Sequence, residues 1–293
     1  MTDDAAQLSL LAPPQQHAAS TTHARLLVFN TQHASPARAY RQAEWISQQE
    51  TADLVVLTEA SSGPGGTALV EAMHHFGYAH VIAPPADPRD YRTLLASRTA
   101  PLYPVDAGVT FLPHRAPAAI ATIGGQKLGI VGLYVPSRGP KERRNVDKRQ
   151  FQEAVTTALT GLSNVCAHMP VVAAGDLNVL EPGHEPPHKV FGRWEYAFYE
   201  SFATAGFTDA YRHLHPAAVE HSWFGRSGRG FRFDHAFITN THTAQVEVCA
   251  YDQRPRAASL SDHAAMVLTL GLTAGDASGR PVRDRATRLV GEL

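Results

Sequence analysis

The sequence predicts an α/β fold in which mixed β-sheets are covered by helices, and two observations carry that expectation. Short runs of aliphatic and β-branched residues recur from residue 26 to residue 270 of the 293-residue chain. In the first half they alternate with helical patterns, and later they arrive as hairpins. Strands joined through helices run parallel and strands joined by tight turns run antiparallel, so a chain with both kinds builds mixed sheets.

The elements follow in order. LLVFN (26–30) reads as a strand, and a helix over about 36–50 opens on Ser35 and Pro36, a fitting N-cap and first-turn pair. LVVLTE (54–59) is a second strand and 66–76 a second helix. YAHVIA (78–83) and TLLAS (93–97) are strand-like. AAIATI (118–123) and KLGIVGLYV (127–135) form a hairpin around Gly124-Gly125. A helix over 140–165 precedes PVVAAGD (170–176), whose small apolar run suits a strand buried on both faces. After a helix at 194–206 come FRFDHAFIT (231–239), QVEVCAY (245–251) and AAMVLTL (264–270). Residues 1–23 are rich in Ala, Gln, Pro and Thr without periodicity and are expected to form a flexible tail, as is the polar stretch 273–293.

Composition excludes several classes. With 44% hydrophobic and 18% charged residues the chain is an ordinary globular protein, and no apolar run reaches the roughly 20 residues of a membrane span. The first residues include two acids rather than a basic start, and the only cysteines, Cys166 and Cys249, give neither a disulfide framework nor metal spacing. A cytoplasmic monomer is expected. A net charge of −1 means that any phosphate-binding surface is local.

The informative residues are the polar ones at strand ends: Asn30, Glu59, Tyr134, Asp176, Asn178, Asp234 and the pair Asp262-His263. Sheet ends are where α/β folds carry ligands. Each residue alone has an ordinary explanation. Asp176 and Asn178 suit a loop cap, Glu59 a solvated strand end, Tyr134 a half-buried core position, and Asp234 the surface of an alternating strand. Their coincidence at so many strand ends points to a site.

These residues lie in FN (29–30), LTE (57–59), YVPS (134–137), GDLN (175–178), SWF…FRFD (222–234) and SDH (261–263). In that order they resemble the endonuclease/exonuclease/phosphatase superfamily, and within it the exonuclease III-type AP endonucleases. The resemblance covers residues 24–272 and implies a catalytic domain there. Its fold would be a DNase I-like four-layer α/β sandwich, two packed mixed sheets flanked by helices. Thr58 stands where many members have Gln.

The resemblance implies hydrolysis of DNA phosphodiesters with Mg²⁺, or Mn²⁺, as AP endonuclease and 3′–5′ exonuclease in base excision repair. Glu59 would be a metal ligand, with Asn30 or Asp262 beside it. His263 would contact the phosphate, and Asp234 would fix its orientation. Asp176, held by Asn178, would orient or deprotonate water, and Tyr134 would donate to a phosphate oxygen. Trp223, Phe231 and Phe233 would wall a pocket for a flipped abasic sugar in duplex DNA, although a core role is as plausible for Phe233. KERRNVDKR (141–149) and RSGRGFR (226–232) lie next to these segments, which makes Arg138, Arg143, Arg144 and Arg232 candidates for backbone phosphates. A solvated helix face is the alternative for the first run. In the tail, Gln7–Leu11 (QLSLL) resembles the short peptide by which bacterial repair proteins dock into the sliding clamp. The competing readings are a phosphodiesterase acting on RNA or a small phosphorylated molecule, and a catalytically idle DNA- or clamp-binding protein.

Overall fold

The computed structural model describes residues 22–50, 52–139, 142–165, 169–187 and 191–272. Gln7–Leu11 and the side chains of Arg143 and Arg144 lie outside the described residues.

The chain runs β1 (Thr22–Asn30), α1 (Pro36–Ser47), β2 (Leu54–Ser61), α2 (Pro64–His75), β3 (His80–Ile82), β4 (Tyr91–Ser97), β5 (Leu102–Val105), β6 (Ala118–Ile123), β7 (Gln126–Tyr134) and α3 (Glu142–Val165). It continues through β8 (Val171–Asp176), α4 (Arg193–Thr204), β9 (Phe207–Asp209), α5 (Ala210–Leu214), β10 (Trp223–Phe224), β11 (Gly230–Phe231), β12 (Asp234–Thr239), β13 (Val246–Asp252), α6 (Arg254–Ala257) and β14 (Ala265–Leu272). One six-stranded sheet has the order β13-β14-β1-β2-β4-β3 and the other β5-β6-β7-β8-β12-β9, with β10 and β11 a separate hairpin. Each sheet holds one parallel pair, β1 with β2 and β7 with β8.

Strand alternation builds the layers. On β1, Leu26 and Val28 face the other sheet, in one cluster with Ile130, Val172 and Ala174. Their neighbours Leu27 and Phe29 face outward onto Ala39, Ala43 and Ile46 of α1 and Leu69 and Met73 of α2. On β8, Val171 and Ala173 likewise turn outward to Phe151 and Val155 of α3 and Phe198 and Phe202 of α4. The result is helix, sheet, sheet, helix: the expected four-layer sandwich. Among the described residues no helix is long and apolar enough to cross a membrane.

Local chemistry sets the element ends. The Ser35 hydroxyl accepts from the Arg38 amide and Pro36 opens α1. Gly124 and Gly125, with φ of 54° and 81°, make the tight turn between β6 and β7. FRFDHAFIT, expected as one strand, is broken. The amides of Phe233 and Asp234 both donate to the Ser222 hydroxyl, so β12 begins at Asp234 instead of carrying it in mid-strand. The short strands β5 and β9 were not expected.

Candidate active site

The strand ends converge as the registers dictate. In the second sheet Tyr134 is paired with Asp176, and Asp176 in turn with Asp234, so three polar residues stand in one row across β7, β8 and β12. In the first sheet Asn30 is paired with Thr58, and the register of β2 against β4 then slips between Leu57 and Ala60. That irregularity holds Glu59 at a φ of 52°, two residues before the end of β2. A cleft of about 520 Å³ opens here, lined by Glu59, Tyr134, Ser137, Arg138, Gly139, Asp176, Asn178, Phe191, Trp223, Phe233 and His263.

Asp176 is buried and fully engaged. One carboxylate oxygen accepts from the Asn30 amide at 2.9 Å and the Asn178 amide at 3.0 Å. The other accepts from the Asn178 backbone N–H at 2.9 Å, so the loop cap is present, and both Asp176 and Asn178 also line the cleft. Gly175 permits the approach: a Cβ there would lie 1.9 Å from the Leu133 carbonyl oxygen. Burial raises the Asp176 carboxyl well above the usual carboxylate range; the His263 charge opposes this, and those of Asp234 and Glu59 reinforce it.

His263 Nδ1 lies 2.7 Å from Asp234 Oδ2, which assigns the Nδ1 proton to that bond and leaves Nε2 3.5 Å from the Asn30 amide nitrogen. Burial disfavours a charged His263, yet the adjacent Asp234 carboxylate outweighs it and raises the imidazole pKa. The Asp234 carbonyl accepts from Tyr251, and Ser261 ties the His263 backbone to the Asn30 carbonyl. Tyr134 is 5% exposed; burial and the Glu59 charge hold its phenol well above the ordinary value, while Arg115, stacked 4.8 Å from the ring centroid, opposes them. It is a neutral donor at the cleft.

Of the three residues expected to hold a metal, only Glu59 lines the cleft. One of its oxygens faces His33 Nδ1 at 3.0 Å. The Asn30 side chain is occupied: its amide nitrogen donates to Asp176 and its oxygen accepts from the Gln32 backbone N–H. Asp262 accepts from Trp223 Nε1 at 2.9 Å. Among the described residues no three His, Cys, Asp or Glu side chains form a closed metal cage. Mg²⁺ needs less, since one or two carboxylates suffice when water and substrate phosphate complete the shell. The Glu59 carboxylate, which shares the open cleft with Asp176, fits an open site of that kind.

Three expectations need correction. Arg232 is completely buried, bonded to Glu181 at 2.6 Å and Asp209 at 2.8 Å, and cannot reach a substrate phosphate. Phe231 is not among the cleft-lining residues; it stacks behind Phe233 and Trp223, at centroid distances of 5.7 and 6.2 Å. Lys148, read as part of a basic surface run, is wholly buried and donates to Glu195 and the Asn178 carbonyl. Arg138 does line the cleft, as do Trp223 and Phe233. Phe191, Ser137 and Gly139 also line it and were not singled out. Phe191 has no periodic pattern to mark it, whereas Ser137 lay in plain view inside YVPS.

A model of the Endonuclease/Exonuclease/phosphatase family matches residues 27–263. An exodeoxyribonuclease of Bacillus subtilis is 26% identical over 226 residues, spanning 71% of this chain and 85% of that protein. A 3′-5′ exonuclease (NExo) from Neisseria meningitidis superposes with a TM-score of 0.70 at 21% identity, covering 85% of this chain and all of that one. An AP endonuclease from Archaeoglobus fulgidus does so with a TM-score of 0.68 at 22% identity, over 85% and 99%. These likenesses confirm the DNase I-like fold. The family match spans every cleft residue, from Glu59 to His263, and all strands of both sheets except β14 and the start of β1, and on that ground the chain belongs to the Endonuclease/Exonuclease/phosphatase family.

Proposed function

We propose that this chain is a metal-dependent DNA phosphodiesterase that incises duplex DNA at abasic sites and trims 3′ ends. The observation that carries the reading is the convergence of the Tyr134–Asp176–Asp234 row with His263 and Glu59 at a cleft with an aromatic wall. Asp176 accepts a proton from, or orients, the attacking water, because Asn30 and Asn178 fix its carboxylate. Tyr134 and His263 donate to the phosphate oxygens, with Asp234 holding the imidazole. A divalent ion held by Glu59 would supply charge neutralisation on the phosphate and the departing oxygen. Phe191, Trp223 and Phe233 give the cleft an apolar side that suits a sugar without a base. The Bacillus exodeoxyribonuclease supports DNA as the polymer.

The test is cleavage of a labelled duplex carrying one tetrahydrofuran abasic analogue, with Mg²⁺, with Mn²⁺ and with EDTA. Asp176→Asn and His263→Ala serve as controls. Metal-dependent incision at the analogue, absent from both variants and from undamaged duplex, is the expected result. Equal degradation of both duplexes would replace this reading with a general nuclease, and no cleavage of either would move it to RNA or small phosphoesters. Docking of Gln7–Leu11 to a sliding clamp rests on the sequence alone; a peptide of residues 1–20 should bind the clamp, and Leu10→Ala should abolish binding.

A further inference from the structure

Glu195 sits in the first turn of α4, 1% exposed and not itself lining the cleft, yet three donors from the cleft or next to it meet on its carboxylate. Oε1 accepts from Lys148 Nζ at 2.5 Å. The same ammonium donates to the Asn178 carbonyl at 2.8 Å, so Lys148 holds the turn that presents Asp176. Oε2 accepts from Arg138 Nη1 at 2.7 Å and from the Gly192 backbone N–H at 2.8 Å. Arg138 lines the cleft directly, and Gly192 follows the cleft residue Phe191. The Lys148 ammonium also lies 4.8 Å from the centre of the Phe191 ring.

The ordinary account is that Glu195 caps α4 by accepting from Gly192. That account uses one oxygen and no charge. It leaves unexplained a fully desolvated lysine on one side and a cleft arginine on the other. A buried ion pair contributes little net stability, because desolving both charges offsets their attraction. A carboxylate that accepts from three directions does impose geometry, since each donor must lie where the others allow.

Resting on the phosphodiesterase reading above, we propose that Glu195 is a positioning residue. Acting through Lys148, Arg138 and Gly192, it sets the Asp176–Asn178 turn, the cleft arginine and the Phe191 wall in one mutual register.

The experiment is the double substitution Lys148→Met with Glu195→Gln, which removes both buried charges and keeps the cap acceptor. Charge-free replacement of a buried pair is commonly neutral for stability, so the melting temperature should stay within about 5 °C of the parent. On the abasic duplex, kcat should fall about 100-fold, the scale of a small misplacement of catalytic groups, and KM should rise several-fold as Arg138 loses its anchor. Amide exchange over 177–179 and 191–193 should accelerate together, with the interior of β8 unchanged. Should the double variant fail to fold, Glu195→Asp, which retains the charge but withdraws both oxygens, should show the same split at smaller amplitude. Kinetic constants within twofold of the parent, with unaltered exchange in both segments, would reduce Glu195 to a cap and overturn the proposal. If the parent cleaves no phosphodiester, the functional reading fails, while the exchange measurement still decides the positioning role.

Discussion

His263 Nδ1 and Asp234 Oδ2 stand 2.7 Å apart, and both residues are almost wholly buried. Asp234 begins β12 in one sheet and His263 lies two residues before β14 in the other, so the pair clasps the two sheets at the cleft. Replacing Asp234 with Asn keeps the shape but not the charge. An amide can offer His263 Nδ1–H an acceptor only in one of its two orientations, and it does not stabilise a charged ring. Asp234→Asn should therefore lower kcat on the abasic duplex by about 100-fold or more while the protein stays folded. Single-turnover kinetics with circular dichroism on the same sample would check both halves of that statement.

Asn178 separates backbone from side-chain effects. Its φ of 48° is left-handed, and its amide reaches Asp176 and the Val135 carbonyl. Asn178→Gly suits the backbone and loses the amide, whereas Asn178→Ala loses the amide and adds about 1 kcal/mol of backbone strain. Both variants should lose activity to a similar degree, and the alanine variant should melt at the lower temperature. Equal melting temperatures with unequal activities would contradict this division of roles.

How much of this could be read from the chain depends on the kind of residue. Leu26 to Phe29 declared their strand because alternate positions are buried in different layers, between the sheets and under the helices. Asp176 and Asn178 were legible as cleft residues only in company: alone they suit a loop cap, and their coincidence with the other strand-end polar residues pointed to a shared cleft. Arg232 was not. An arginine in a glycine-rich segment reads as solvent-facing, and its partners Asp209 and Glu181 lie 23 and 51 residues away in sequence. Lys148 misled for the same reason: helix α3 turns it inward from a basic run, onto Glu195, 47 residues on. Strands β5 and β9 are four and three residues long, too short for any period to emerge.

The corrected position of Arg232 gives a stability prediction. Arg232→Met removes the cation between Asp209 and Glu181 and leaves buried carboxylate charge poorly compensated. Breaking such a pair costs about 3–5 kcal/mol, so thermal denaturation should shift down by roughly 10 °C. For the variant that remains folded, the salt dependence of DNA binding should equal the parent's. A phosphate contact would instead reduce the slope of log K against log salt by about one.

The same cluster predicts the acid limb of stability. Burial alone would raise Glu181, but the Arg212 hydrogen bonds and the Arg232 charge outweigh it and bring its carboxyl down to about 2. Burial likewise works against ionised Asp209, and the Arg232 charge again prevails, holding it far below the usual range. Both groups bind protons more weakly folded than unfolded, so their contribution is complete above about pH 4.5 and is lost as the pH falls towards 2. Urea midpoints across that window should fall steeply for the parent and less steeply for Arg232→Met. Parallel curves would mean that the cluster is not the source of the acid sensitivity.

The aromatic wall can be divided by comparing a residue that lines the cleft with one that does not. Phe191 packs edge-on against Phe233, with centroids 6.1 Å apart, and faces the cleft. Phe231 lies behind Phe233, 5% exposed. On the proposed function, truncating Phe191 to alanine should widen the space beside the carboxylates and admit an intact nucleotide more readily. Apolar pockets discriminate by size over about 10- to 200-fold, so the abasic-to-intact cleavage ratio should fall by at least about tenfold. Phe231→Ala removes a buried ring from the supporting cluster and should cost about 3–5 kcal/mol of stability. At a temperature where that variant is folded, its cleavage ratio should change much less than that of Phe191→Ala. The reverse pattern would mean that selectivity resides in the packing behind the wall rather than in its surface.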